Sequence, residues 1–179
     1  MAAVLAAVVV VAAPFDIAAQ QTLPARIAVL GVQRVLFECA AAIDIKAQVD
    51  QRRQRYQEER NKQEQELRAL IQELQSQSTI LAPEALARKR REFENRVTEM
   101  EQVTKTHKRE LDQAYDYGMK EVRSTLTTII AELAKERGFN LVLPQATLVI
   151  SNSVLNITDE VLSRLNVRLP SVKVPLIQN

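Results

Sequence analysis

Residues 51–66 read QRRQRYQEERNKQEQE, a run in which Tyr56 is the one aromatic residue and no aliphatic residue, Gly or Pro occurs. From about Ile43 onward no helix breaker follows until Pro83. The run therefore lies inside one continuous helix of roughly 35 residues or more, about 50 Å long at 1.5 Å per residue. A helix that is polar on every side cannot bury itself, so a partner must hold it.

Opposite charges four residues apart support the helix, for example Arg60 with Glu64, but each such pair contributes only about 0.2–0.5 kcal/mol. Ordering each backbone residue costs about 1–2 kcal/mol, so the pairs alone do not order the segment. A second helix from Pro83 to Arg137 supplies the partner, because it carries apolar residues at alternating steps of three and four. This seam consists of Leu86, Phe93, Val97, Met100, Thr104, His107, Leu111 and Ala114 and continues, after a slip of phase, through Tyr115, Met119, Val122, Leu126, Ile129 and Leu133.

The two helices form an antiparallel helical hairpin, or coiled-coil arm, over residues 44–137 with its tip near residues 76–83. The facing stripe of the first helix has Arg60 and Gln63 at mid-arm, where apolar residues are expected. The seam is therefore thin in its middle, and we expect the arm to bend or open there.

Both ends of the arm return to segments of β type. Residues Ile27 to Leu30 precede Gly31, residues Leu141 to Leu143 follow Gly138, and a further strand is predicted over Thr147 to Ile150. A short helix is predicted over Asp159 to Leu165, with acidic residues in its first turn. The fold class is thus α+β: a small β-containing body from residues 20–43 and 138–166, the arm, and a flexible tail over residues 167–179. A body this small with open sheet edges favours assembly with other copies.

The N-terminus, MAAVLAAVVVVAAPFDIAAQ, has an apolar run from Ala2 to Ala13 and small residues before a cleavage point after Ala19. This pattern predicts a cleavable export signal over residues 1–19. No Lys or Arg precedes Arg26, which departs from the usual positive start of such signals. The alternative is a buried or membrane-associated N-terminal helix.

Composition excludes most sites of catalysis and metal binding. The chain has one cysteine, Cys39, and one histidine, His107, so neither an intrachain disulfide nor a Cys/His metal site is available. We find no phosphate-binding loop and no nucleophile with a neighbouring base, and we expect neither an enzyme nor a cofactor. With a formal net charge of +2 and acids interleaved among the basic runs, a nucleic-acid binder is not expected either.

The order of these parts resembles the Skp (OmpH) family of periplasmic chaperones for outer-membrane proteins. The resemblance covers about residues 26 to 166 and depends most on IAVLGVQRVL near the start and NITDEVLSRLN near the end. It implies a homotrimer, with a small β body and three arms around a cavity for an unfolded client. We expect that trimer to close through Ile27, Val29, Leu141, Leu143 and Val149. The chain departs from the family at the turn Pro144 to Thr147, at Val149 and Ile150, and in the tail.

The resemblance implies an ATP-independent holdase in the periplasm that binds unfolded outer-membrane β-barrel proteins by many weak contacts. Candidate contact residues are Tyr56, Ile80, Leu81, Arg88, Lys89, Arg90, Arg91 and Tyr117. The run Arg88 to Arg91 could meet an acidic client, anionic lipid or lipopolysaccharide, and a solvated face is the alternative because Glu84, Glu92 and Glu94 surround it. For the whole chain, the alternative function is a structural coiled-coil protein of the cell envelope without client binding.

Overall fold

The structure is a computed structural model that describes residues 23–175, so the predicted export signal at residues 1–19 lies outside the described residues. The chain begins with strand β1 (Ile27–Leu30), helix α1 (Val32–Glu38) and helix α2 (Ala40–Gln77). It continues with helix α3 (Pro83–Arg137), strand β2 (Leu141–Pro144) and two single turns of 3₁₀ helix (Gln145–Thr147 and Ser153–Leu155). The last element is helix α4 (Thr158–Arg168).

Helices α2 and α3 form the predicted arm, which turns at residues 78–82. The 38 residues of α2 are about 57 Å long and the 55 residues of α3 about 83 Å. Pro83 stands in the first turn of α3, and Gly138 ends it in the left-handed conformation with φ of +72°. A small body with one long helical hairpin confirms the predicted α+β fold.

The sheet of the body has two parallel strands, with Ile27 opposite Leu141 and Leu30 opposite Pro144. The arm is the connection between them. The strand predicted at Thr147 to Ile150 is wrong, because this part of the chain is a turn of 3₁₀ helix followed by irregular backbone. Its apolar side chains Val149 and Ile150 are exposed and have no neighbouring strand within the described chain.

Helix α4 starts one residue before and ends three residues after the predicted span. Thr158 does not cap it with its side chain; the Thr158 hydroxyl instead accepts a hydrogen bond from the Gly31 backbone N–H at 2.8 Å. The backbone N–H of Ile157 donates to the Val29 carbonyl at 2.9 Å, which ties the start of α4 to β1. On its outer side, Arg164 donates two parallel hydrogen bonds to Glu136 of α3, at 2.9 and 2.7 Å.

The apolar core lies at the base of the arm. The buried residues of α2 all fall between Ala41 and Arg52, and those of α3 between Ala114 and Leu133. Beyond this base, the seam residues of α3 from Leu86 to Leu111 are at most half-buried. The sequence predicts a flexible tail from residue 167 onward, but residues up to 168 continue α4 and Val172 and Val174 are buried in this core.

Candidate functional site

The middle of the arm is closed by one aromatic pair. The Tyr56 ring of α2 stacks on His107 of α3, with ring centroids 3.6 Å apart and planes within 4°. The Tyr56 hydroxyl donates to Oε2 of Glu110 at 2.6 Å. Partial burial of the ring and this hydrogen bond raise the pKa of Tyr56 to about 12. Tyr56 was predicted as a client contact; it is half-buried, and one face of its ring is taken up by His107.

Toward the tip, the seam is open beside this pair. Gln63, Leu67 and Met100 line part of a shallow groove of about 180 Å³ together with charged side chains of both helices. Arg60 stays exposed and pairs with Glu64 at 3.5 Å on its own helix. Few apolar contacts therefore join α2 to α3 at mid-arm.

The tip of the arm presents apolar and basic side chains. Ile80 is 82% exposed and Leu81 is half-buried. Of the basic run, Arg88, Arg90 and Arg91 are exposed. Lys89 instead bridges the helices: it pairs with Glu73 and donates to Oε1 of Gln77 at 2.9 Å.

The bridging Lys89 ammonium lowers the pKa of the Glu73 carboxyl through a hydrogen bond and its charge. Lys89 was predicted as a client contact, and its cross-helix bonds give it a second role in closing the tip. The exposed arginines carry no such constraint from the facing helix in the hydrogen bonds of residues 23–175.

An exposed apolar groove lies at the base of the arm. Its volume is about 450 Å³, and it is lined by Leu36, Phe37, Ala42, Ile43, Lys46, Val49, Asp50, Arg53 and Tyr115. Phe37 is 71% and Ile43 is 59% exposed. Neither residue was predicted as a contact from the sequence. Phe37 could have been, because it falls outside the apolar spacing that marks the buried side of α1, which consists of Val32, Val35, Leu36 and Cys39. Tyr117, which was predicted as a contact, is 49% exposed on α3 and is not among the residues that line this groove.

The predicted assembly residues divide into two groups. Ile27, Leu141 and Val149 are exposed and Leu143 is half-buried, so their side chains are available to another copy. Val29 differs because it is only 1% exposed and already belongs to the core of the single chain. Its strand neighbours Ala28 and Leu30 are buried as well, so Ile27 is the one exposed residue of β1.

No group of three or more His, Cys, Asp or Glu side chains among residues 23–175 is arranged to hold a metal ion. The described helices also include none that is both long and apolar enough to span a bilayer.

This architecture is similar to that of known proteins. The family model for outer membrane protein (OmpH-like) matches residues 26–165. The crystal structure of an OmpH-like protein from Caulobacter crescentus CB15, assigned provisionally as an outer membrane chaperone, superposes with a TM-score of 0.80. The two sequences are 14% identical, and the match covers 88% of this chain and 94% of that one. No curated protein sequence matches the chain.

Proposed function

The chain belongs to the OmpH-like family of outer membrane proteins, and from this membership we propose that it is a holdase that keeps outer-membrane β-barrel proteins unfolded but soluble in the periplasm. Family membership supports a chaperone role in general terms. The unfolded client, the periplasmic location and the export signal at residues 1–19 are parts of the proposal.

One observation carries it: exposed apolar side chains are spread along the arm and its base instead of being gathered in one deep pocket. They are Ile80 at the tip and Phe37, Ile43 and Tyr117 near the body. Exposed apolar residues spread in this way suit an extended chain that must be held at many points, since each contact is weak and none depends on one side-chain pattern. A small-molecule site would need a concave pocket with convergent polar groups.

We propose that the active assembly is a homotrimer whose arms surround the client. The exposed residues Ile27, Leu141 and Val149, with half-buried Leu143, support a contact between copies at the body. An unpaired sheet edge next to exposed apolar residues is a common place for such contacts. The arms then extend from the body in one direction and leave a space between them.

The exposed arginines near the tip, Arg88, Arg90 and Arg91, are proposed to attract acidic segments of the client. Charges exposed to solvent are screened beyond about 8 Å at physiological ionic strength, so this attraction acts mainly at low salt. Anionic lipid or lipopolysaccharide is a further proposed partner of the same residues, because phosphate groups offer the same negative charge.

The test is suppression of aggregation and client affinity, measured with a urea-unfolded outer-membrane β-barrel at low and high salt. Replacing Ile80, Leu81 and Tyr117 with Ser is expected to weaken binding at both salt levels, since full burial of such a side chain is worth roughly 1.5–3 kcal/mol and salt does not screen it. The triple variant with Gln at positions 88, 90 and 91 is expected to weaken binding mainly at low salt.

The matched controls make the same kinds of substitution at exposed positions away from the tip of the arm. Val167→Ser removes an exposed apolar residue from α4, and Arg123→Gln removes an exposed charge from the body end of α3. Both are expected to bind like the parent chain, and circular dichroism checks that every variant is folded. If both arm variants are folded and bind as the parent does at both salt levels, a structural coiled coil of the cell envelope becomes the better account.

A further inference from the structure

A short extended segment of the chain binds along the base of α2. In the segment Pro170–Pro175, Val172 and Val174 are buried in the apolar cluster that includes Ile45 and Val49. Ser171, Lys173 and Pro175 point to solvent. This alternation is the pattern of a β-strand lying on an apolar surface, although the surface here is a helix.

The side chain of Gln48 makes two hydrogen bonds to the backbone of this segment. Its Nε2 donates to the Val172 carbonyl at 2.8 Å, and its Oε1 accepts from the Val174 N–H at 3.1 Å. In a parallel sheet, the backbone of one residue bonds the neighbouring strand in the same way: its N–H donates to one carbonyl, and its carbonyl accepts from the N–H two residues further along that strand. The Gln48 amide thus takes the place of a strand, and neither of its bonds depends on which side chains the segment carries.

Asp44 holds the Gln48 amide in the orientation that this recognition requires. Gln48 Nε2 also donates to Asp44 Oδ2 at 2.8 Å, one turn earlier on α2. A carboxylate accepts hydrogen bonds only, so the NH₂ side of the amide must face Asp44 and the oxygen is directed at the Val174 N–H.

Arg52 completes the groove one turn later, and it carries an unused donor. Arg52 as a whole is 7% exposed, and its Nη1 donates to the Pro175 carbonyl at 3.1 Å. Its Nε is buried and finds no acceptor within residues 23–175. A buried donor without an acceptor is costly, so this end of the groove is suited to a chain that brings a further carbonyl or carboxylate.

We propose that Asp44, Gln48 and Arg52 form a binding groove for extended peptide segments with apolar residues at alternate positions, which residues 170–175 occupy until a client strand displaces them. The occupant to which we commit is a strand of an unfolded outer-membrane β-barrel, because such strands alternate apolar and polar residues as Val172, Lys173 and Val174 do. This inference rests on the proposed holdase function and names the form in which part of the client is recognised.

The first experiment uses the unmodified chain. Hydrogen exchange is measured with and without a urea-unfolded outer-membrane β-barrel, and the reporter is the Val174 amide. Client binding is expected to accelerate its exchange by about tenfold or more, because the tail leaves Gln48. The amide of Leu169, which donates to the Leu165 carbonyl at the end of α4, is the internal control and is expected to stay unchanged. A bound client that leaves Val174 as protected as before would overturn the inference.

The second experiment supplies the segment in trans. The double variant Val172→Ser, Val174→Ser frees the groove in the full chain, and Lys173→Ser is the matched control at the exposed position between them. A labelled peptide LPSVKVP is expected to bind the double variant about tenfold or more tightly than the parent or the control, in which the attached tail competes at high effective concentration. A peptide with Ser in place of both Val residues is expected not to bind, and Gln48→Ala in the double variant is expected to abolish binding.

Competition separates this inference from the function on which it rests. The unfolded β-barrel is expected to displace the labelled peptide from the double variant. If the peptide binds and a client that the protein demonstrably holds does not displace it, the groove serves the tail alone and the holdase function stands. If no variant holds the client in the aggregation assay, the proposed function fails, and the client part of this inference fails with it.

Discussion

Gly118 lies on α3 where it faces Ile45 of α2, at the base of the arm. A Cβ atom at this position would come within 2.8 Å of Ile45 Cγ1 and 2.9 Å of its Cδ1. Ile45 is itself fully buried, so any shift that makes room for a Cβ must be taken up by its packed neighbours. The absence of a side chain at residue 118 therefore sets how closely the two helices pack where the arm joins the body.

We expect Gly118→Ala to lower the free energy of unfolding by about 1–3 kcal/mol, in spite of the better helix propensity of alanine, because overpacking a filled core forces side chains and backbone to shift. Urea unfolding followed by circular dichroism measures the change. Lys120→Ala, at an exposed position two residues away on α3, is the control. A variant as stable as the parent would mean that the two helices can separate at little cost.

Tyr56 makes the stability of the chain depend on pH in the alkaline range. Its pKa is raised to about 12 in the folded chain, and the ordinary value of a tyrosine is about 10. Between these values the unfolded chain loses the phenolic proton and the folded chain keeps it, so the free energy of unfolding falls as pH rises. The contribution is complete below about pH 10 and is lost by about pH 12.

Tyr56→Phe removes this titration, so the free energy of unfolding of the parent is expected to fall more steeply than that of the variant between about pH 10 and pH 12. Urea unfolding across this range, carried out on both chains, measures the difference and cancels the titration of the lysines. Parallel curves for the two chains would show that the Tyr56 hydroxyl does not keep its bond to Glu110 in solution.

Among the elements of the chain, the arm is the least uniformly packed. Its base shares the apolar core, its middle is held by Tyr56 on His107, and its tip by Lys89 with Glu73 and Gln77. Between these points, exposed Arg60 and half-buried Gln63 face the other helix. The arm thus has fixed points separated by weakly joined stretches, which allows it to bend without unfolding the body.

Hydrogen exchange is expected to be much faster in residues 56–66 than in residues 26–36, because few apolar contacts protect the first segment. The double variant Arg60→Leu, Gln63→Leu is expected to slow exchange in the first segment by filling the seam. Arg55→Leu, on an exposed position of the same helix, serves as the control. Equal protection in the two segments of the parent would favour a rigid rod over a flexible arm.

The elements that the sequence predicts well are those determined by residues close to one another in the sequence. The helical hairpin follows from Pro83, Gly138 and the apolar spacing of three and four, all of which are local signals. The strand expected at Thr147 to Ile150 was wrong because β-type residues form a strand only when another strand pairs with them, and none does so within the described chain.

The same limit applies to the candidate site. The stack of Tyr56 on His107 and the bonds of Gln48 to residues 172 and 174 join positions far apart in sequence, and neither has a local pattern that marks it. Phe37 could have been found, since it falls off the apolar spacing of α1 and a large residue there has no core to enter. Val29 was expected at a contact between copies, and its burial could be known only once Ile157 and α4 were placed against β1.

At the scale of the whole molecule, the body of one chain leaves several apolar residues exposed. Val149 and Ile150 are almost fully accessible, and Ile27 and Leu141 stand at the start of the paired strands. Such residues seldom remain in contact with water in a chain that acts alone. They are the basis of the proposed homotrimer.

Light scattering at micromolar concentration is expected to give the mass of a trimer for the parent chain. Val149→Asp with Ile150→Asp is expected to give a folded monomer, because carboxylates at a contact between copies would be buried without partners. Ile80→Asp, which changes an equally exposed residue at the tip, is expected to leave the trimer intact. A folded monomer from the parent chain would contradict the proposed assembly.

The parallel pairing of β1 with β2 sets the order in which the chain can fold. β1 is made first but has no partner until residues 141–144 exist, and α4 then joins β1 through Ile157. Closing a flexible loop as long as the arm costs entropy that grows with the logarithm of its length. A hairpin that has already formed brings its two ends together, so contacts within the arm offset most of this entropy before the strands pair. The base of the arm, where α2 and α3 share the buried core, is therefore expected to act as the nucleus on which the body condenses. A chain emerging with its N-terminus first has no complete body until residues 141–168 have appeared.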